Sequence, residues 1–244
     1  MNYAYGWLPD IPDKRDFLYT AVKPRIRLTK TVDLRECCSP IEYQGKLGSC
    51  TAQALAGNLE YLDNMIDHEY TDMSRLFIYY NERAIIDTVD YDSGARLRDG
   101  IKTLKKDGVC HEEIWPYKIK RYRTKPPKQC YEQAIKHTIS SYYRIRSLSE
   151  MLACLSDGYP FVFGFTVYES IQSEKVRKTG ILPMPKKDEA TLGGHAVLAV
   201  GFDQRKKRFI ARNSWGTGWG LGGYFLMPFR YLEELAADFW TVRK

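Results

Sequence analysis

Gln44-Gly45-Lys46-Leu47-Gly48-Ser49-Cys50-Thr51-Ala52 sets a cysteine just ahead of Leu55, Leu59, Leu62 and Ile66, which recur at helical spacing. Ser49 is an N-cap type, so Cys50 is expected at a helix start. Free amides and the helix dipole at that end favour an anion and lower a thiol's pKa. The thiolate is the reactive form, so this placement suits a nucleophile, the more so beside an imidazolium. Standing alone, Cys50 would read as a buried structural cysteine, because free cysteine is among the most commonly buried residues.

Of the four histidines, His195 differs from His68, His111 and His137 in opening an apolar run, HAVLAVGF at 195–202, behind Gly193-Gly194. Two glycines let other backbone approach closely. A histidine beside an apolar strand is more often a hydrogen-bonded core residue, but the next strand changes the balance. RFIAR at 208–212 delivers Asn213-Ser214-Trp215-Gly216-Thr217-Gly218-Trp219-Gly220, and a short connection would bring Asn213 alongside His195. The asparagine amide oxygen accepts one ring N–H and leaves the other nitrogen facing the thiol; an adjacent indole shields that bond from water. For Trp215 the plain alternative is core packing.

The surrounding chain divides by texture. Helical spacing continues over about 70–86 and through Leu97, Ile101 and Leu104 to a stop at Gly108. After about residue 155 come FVFGFTV (161–167), the two runs above and GYFLM (223–227), separated by Gly and Pro. Helices followed by strands indicate an α+β fold, since βαβ alternation would scatter the two types along the chain. At 244 residues, with 44% hydrophobic and 14% aromatic residues, the chain can bury a substantial core and is not a disordered polymer.

Residues 1–30 carry Pro9, Pro12 and Pro24 among charges and aromatics and read as an extended arm. Neither a signal-peptide pattern nor an apolar run of about 18 residues is present, so membrane insertion and secretion are not indicated. The six cysteines form no CxxC pair, which disfavours a zinc ribbon or a thioredoxin-type site, and reduced thiols are expected. The net charge of +7 concentrates in residues 118–128 (KIKRYRTKPPK), either a solvated basic loop or a site for an anionic partner.

Taken together, these residues resemble the papain family of cysteine peptidases, in its motif order. Gln44 to Cys50 is similar to the family's Gln-Gly-x-x-Gly-Ser-Cys, Gly194-His195-Ala196-Val197 to its Gly-His-Ala strand, and Asn213-Ser214-Trp215-Gly216 to its Asn-Ser-Trp-Gly. The resemblance implies a two-lobed fold with a helical lobe over about 31–155, an antiparallel barrel-like β lobe over about 156–244, and the active site in the groove between them. It implies Cys50 as nucleophile, His195 as acid and base, Asn213 as the orienting residue, and Gln44 beside the Cys50 N–H as oxyanion donors. Peptide or protein would be the substrate, with no metal or organic cofactor. It further places Gly48, Ser93, Gly94, Gly194 and Ala196 along the substrate groove, and Trp215 and Trp219 on its primed side.

Three residues depart from the family pattern. Leu47 stands where many relatives have a disulfide-forming cysteine, Thr51 where an aromatic is usual, and Gly194 where plant members often carry an acid. Val32-Asp33-Leu34-Arg35 resembles the family's mature start, with no room before it for a long helical pro-region. The arm, with Gly6-Trp7-Leu8-Pro9-Asp10, is similar to those of bacterial and large-DNA-virus members, and is expected to pack over the domain and obstruct the groove. The rival readings are acyl transfer of the transglutaminase type and a non-catalytic relative that binds a partner through its basic face.

Overall fold

The computed structural model describes residues 3–23 and 27–244; Pro24 lies outside them. Helix α1, Cys50–Asp67, begins at the cysteine and ends where His68 turns left-handed at φ 55°. Fourteen of its residues, Cys50 to Asp63 without interruption, are buried, so it is a central helix rather than an amphipathic surface one. Helix α2, Arg75–Ile85, starts later than the apolar spacing suggested, because Ser74 caps it by accepting from Phe77 N–H. Helix α3, Leu97–Lys106, stops before Gly108, which adopts φ 74°.

Seven strands form one antiparallel sheet: β1 Thr31–Asp33, β2 Ser141–Ile145, β3 Phe161–Tyr168, β4 Thr191–Asp203, β5 Arg208–Arg212, β6 Tyr224–Pro228 and β7 Ala236–Arg243. Their order is β2-β7-β3-β4-β5-β6, with β1 added against the end of β4. Short helices α4 Lys128–Ala134, α5 Leu148–Ser156, α6 Glu174–Thr179 and α7 Phe229–Leu235 fill the connections. Two strands of the sheet, β1 and β2, come from the half of the sequence that reads as helical.

The sheet has two buried faces. Val162, Ala196, Leu198 and Val200 join the core built around α1, α2 and α3. Phe161, Phe163, Phe165, Val197 and Ala199 point the other way, into a second core with Phe209, Trp215, Trp219 and Phe225. Continuous apolar runs are the sequence signature of strands covered on both sides. Buried Arg212 of β5 reaches across the molecule to the Ser39 hydroxyl and the Pro40 carbonyl, at 2.9 and 2.7 Å, and packs over Gly57 of α1.

The described part of the arm belongs to the fold. Tyr19 is fully buried in the second core, Arg144 N–H of β2 donates to the Phe17 carbonyl at 2.7 Å, and Asp16 pairs with Arg98 and Arg144. Upstream, residues 3–10 run from beside the start of α1, where Gly6 meets Gly48, to the start of α3 and to β7, where Asp10 contacts Arg98 and Trp240.

Candidate active site

Cys50 is fully buried at the first turn of α1, with the backbone N–H groups of Ala196 and Gly6 directed at its sulfur. Ala196 follows His195 on β4, so helix start and strand meet at the two residues singled out from the sequence. His195 Nε2 lies 2.8 Å from Asn213 Oδ1. Asn213 leaves β5 with its own N–H on the Gly223 carbonyl at 3.0 Å, and its Oδ1 also accepts from Ser214 N–H at 2.9 Å. Trp215 stacks on the imidazole, ring centres 4.7 Å apart, and Phe165 meets it edge-on at 5.7 Å. His195 Nδ1 is buried and makes no hydrogen bond among the described residues.

Gln44 is held by three contacts. Its N–H donates to the Ser214 carbonyl at 2.9 Å, its Oε1 accepts from the Ser214 hydroxyl at 2.6 Å, and its carbonyl accepts from Tyr117 OH at 2.9 Å. With the amide oxygen so engaged, Nε2 is fixed as a donor toward the groove. It donates to the Leu47 carbonyl at 3.0 Å and to the carbonyl of Ala4 in the arm at 3.2 Å.

The arm lies in this groove. Tyr3 stacks on Trp215 at 4.1 Å, and Tyr5 approaches both His195 and Trp215 edge-on. Ala95 N–H donates to the Gly6 carbonyl at 2.8 Å, Trp7 N–H to the Gly194 carbonyl at 2.9 Å, and Leu8 N–H to the Ala95 carbonyl at 2.9 Å. The Trp7 indole fills a slot that exists because Gly164 and Gly194, on β3 and β4, have no side chains; a methyl at either would overlap it.

Gly48 packs face to face with Gly6, and Gly94 packs against the same residue. Ser93 instead turns its hydroxyl onto the Gly94 carbonyl at 2.7 Å. Ala196 is buried under the arm beside Cys50, and Trp219 sits behind Trp215 in the second core, edge-on at 4.9 Å. The backbone pairing with the arm falls on Ala95, which the sequence does not single out: alanine at a strand-like edge carries no chemical signal of its own. Thr51, the departure beside the nucleophile, donates its hydroxyl to buried Glu82 at 2.6 Å, and burial pushes that carboxyl up to about 8.

Electrostatics in the covered groove run against the helix-start expectation. Burial pushes the Cys50 thiol up to about 12, outweighing the amide donors on its sulfur. Burial also drives His195 down to about 4, against the raising effect of Asn213. With the arm in place, burial favours the neutral thiol and the neutral imidazole. The dipole of α1 is unchanged, but it acts on a sulfur stripped of water.

A sequence model described as papain family cysteine protease matches residues 28–233. The chain therefore belongs to the papain family of cysteine proteases, hydrolases that act on peptide bonds. It is 43% identical over 270 residues to an uncharacterized peptidase C1-like protein of Acanthamoeba polyphaga mimivirus, covering 98% of this chain and 86% of that protein. It is 27% identical to cysteine proteinase 3 of Entamoeba histolytica, covering 91% of this chain and 69% of the relative. Among solved structures, xylellain, a cysteine protease from Xylella fastidiosa, superposes with TM-score 0.90 at 42% identity, covering 99% of this chain and 96% of the other. The two-lobed papain-like fold expected from the sequence is thus the fold of the chain.

Proposed function

We propose that this chain hydrolyses peptide bonds with Cys50 as nucleophile, His195 as proton carrier, Asn213 as its orienting partner and Gln44 as an oxyanion donor, and that its N-terminal arm keeps it latent. The reading rests on one observation: a cysteine at a helix start shares a groove with an imidazole whose Nε2 is held by an amide and whose Nδ1 has no hydrogen-bond partner among the described residues. Attack of the thiolate on a carbonyl carbon would place the developing oxyanion on Gln44 Nε2, where the Ala4 carbonyl now sits. His195 would then protonate the leaving amine and activate the water that cleaves the thioester.

Latency follows from what the sulfur faces. The arm buries Cys50, with the Gly6 N–H directed at the sulfur, and its Ala4 carbonyl takes the Gln44 donor that a substrate would need. Lifting the arm rehydrates the pair and removes the burial that keeps both groups neutral, which favours the thiolate and imidazolium forms.

Incubation with an epoxysuccinyl thiol-protease inhibitor, followed by intact mass and peptide mapping, is expected to give a single adduct on Cys50. His195→Ala should lose it, and Cys50→Ala should abolish peptide cleavage. Absence of any adduct in both the full chain and a folded, arm-displaced variant would overturn the peptidase reading in favour of a binding protein.

The basic segment 118–128 supports a separate contact with an anionic partner. Lys118, Lys120, Arg121, Arg123, Lys125 and Lys128 are all exposed, and among the described residues only Lys128 pairs with an acid, Glu132 at 2.8 Å. Retention on heparin that falls steeply with salt, and falls again when Lys120, Arg121 and Arg123 become alanine, is the expected result. Retention unchanged by those substitutions would leave the segment a solvated loop.

A further inference from the structure

We propose that Asp92 is a positioning residue for the nucleophile loop, clamping Gly48 against whatever backbone occupies the groove. The proposal rests on the peptidase reading above and adds a residue to it.

The loop from Gln44 to Cys50 carries both an oxyanion donor and the nucleophile, so its placement must hold to a fraction of an ångström. Gln44 is fixed by Ser214 and Tyr117 at one end, and Ser49 lies 2.5 Å from the Tyr117 hydroxyl. Between them, Gly48 N–H donates to both carboxylate oxygens of Asp92, at 3.1 and 3.0 Å. Gly48 is sandwiched. A methyl built on it would lie 3.1 Å from Asp92 Oδ1 and 3.3 Å from the Gly6 Cα. Asp92 is the backstop, and the occupant of the groove is the front wall.

Asp92 also connects this loop to the opposite edge of the groove. Its Oδ1 accepts from Tyr79 OH, and that same hydroxyl accepts from Gly94 N–H at 3.2 Å. The chain Gly94 N–H, Tyr79 O–H, Asp92 carboxylate, Gly48 N–H therefore runs from the edge that pairs with backbone at Ala95 to the loop that carries Cys50. The aspartate is set in place by a buried cation. Arg83 donates to the carbonyls of Val89 and Tyr91, at 2.9 and 3.0 Å, and to that of Tyr122, and lies over the Tyr79 ring at 4.2 Å. The segment leading to Asp92 is thus wound around a guanidinium before the carboxylate reaches Gly48.

A residue that only supported folding would alter stability and leave the kinetics of the folded enzyme alone. Asp92 as a backstop alters the transition state, where Gly48 must resist displacement as the oxyanion develops beside it, more than it alters substrate binding. In full-length Gly6→Ala chains, chosen to free the groove, Asp92→Ala is expected to lower kcat about tenfold, as for one lost hydrogen bond to a charged group. KM should change less than about threefold. Asp92→Asn keeps one oxygen acceptor for Gly48 N–H and should recover part of the loss. Tyr79→Phe cuts the link to Gly94 and should act mainly on KM.

The measurement is kcat and KM for these variants, with epoxysuccinyl labelling of Cys50, melting temperature and hydrogen exchange of the Gly48 amide on the same samples. Faster Gly48 exchange with unchanged kcat would overturn the proposal, and so would a kcat loss that Asp92→Asn does not relieve. If Asp92→Ala fails to fold, the Asp92→Asn and Tyr79→Phe split decides alone. A Cys50 that labels in no chain, parent included, would bring down the peptidase reading and this proposal with it, whereas labelling with intact kcat removes only the clamp.

Discussion

Replacing one hydrogen by a methyl group, Gly6→Ala, is expected to raise the rates of Cys50 alkylation and peptide hydrolysis about a hundredfold in the full-length chain. Gly6 passes so close to Gly48 that a Cβ would overlap the Gly48 carbonyl, and both sides of the contact are backbone, which cannot rotate away. The arm must then lift, giving up the hydrogen bonds of Trp7 to Gly194, Leu8 and Gly6 to Ala95, and Ala4 to Gln44. At about 0.5–1.5 kcal/mol each, their combined loss amounts to a few kcal/mol. Since 1.4 kcal/mol is a factor of ten, opening by two powers of ten is the expected scale.

Truncation is a less clean experiment unless it stops early. Removing residues 1–10 should reproduce Gly6→Ala, because residues 3–10 make the arm's contacts with the groove and with Asp238 and Trp240. Removing 1–28 also takes Asp16, which pairs with Arg98 and Arg144, and Tyr19, which is fully buried in the second core. Loss of a buried side chain of that size costs about 1.5–3 kcal/mol, so the long truncation should melt lower than the short one by several degrees. A folded Gly6→Ala protein that labels no faster than the parent would show that the arm does not limit access to Cys50.

How far the sequence foretold this arrangement depends on the range of the interaction. The runs at 161–167, 195–202 and 208–212 fall within β3 to β5 and that at 223–227 overlaps β6, because strands covered on both faces leave unbroken apolar stretches. Strands β2 and β7 escaped notice because Arg144, Asp238, Thr241 and Arg243 break that pattern; the two strands pair with each other across almost a hundred residues. The start of α2 was misplaced since its cap, Ser74, overrides the earlier apolar spacing. At the site, Cys50, His195, Asn213 and Gln44 were readable from residue chemistry and motif. At the groove edge the sequence pointed to Ser93 and Gly94, but not to Ala95, which pairs through its backbone, nor to Asp92, which accepts from a glycine amide 44 residues away. The arm's register is equally silent in sequence, being set by what Gly48, Gly94, Gly164 and Gly194 lack.

Arm docking is expected to be tighter in mild acid and about a hundredfold weaker at neutral pH, and the group responsible is Asp10. Its carboxylate accepts from Arg98 N–H at 3.2 Å, near the start of α3, and from Trp240 Nε1 at 2.8 Å, while its own N–H donates to Asp238 Oδ2 at 2.7 Å. Burial, and next the charge of Asp238, raise Asp10 from 3.8 to about 6 despite those donors and the nearby Arg98. In the lifted arm Asp10 returns to water and to its ordinary value. The docked form therefore holds the proton more firmly. Its advantage is complete below about pH 4 and is lost as pH rises through 6, where docking requires a buried carboxylate beside another. Two pKa units correspond to about 2.7 kcal/mol, or a hundredfold.

The dependence is best read where chemistry at Cys50 cannot interfere. In Cys50→Ala protein, the amides of Trp7, Leu8 and Ala95 are bonded only across the arm and groove, so their hydrogen-exchange protection reports docking. Corrected for intrinsic exchange, protection should fall about a hundredfold between pH 4 and pH 7, and Asp10→Asn should remove most of that fall by keeping the group neutral at both. Such a slope would mean that the latent form is released by a rise in pH rather than by acidification. Protection that increases with pH, or the same slope in Asp10→Asn, would place the control of the arm elsewhere than in the buried contact between Asp10 and Asp238.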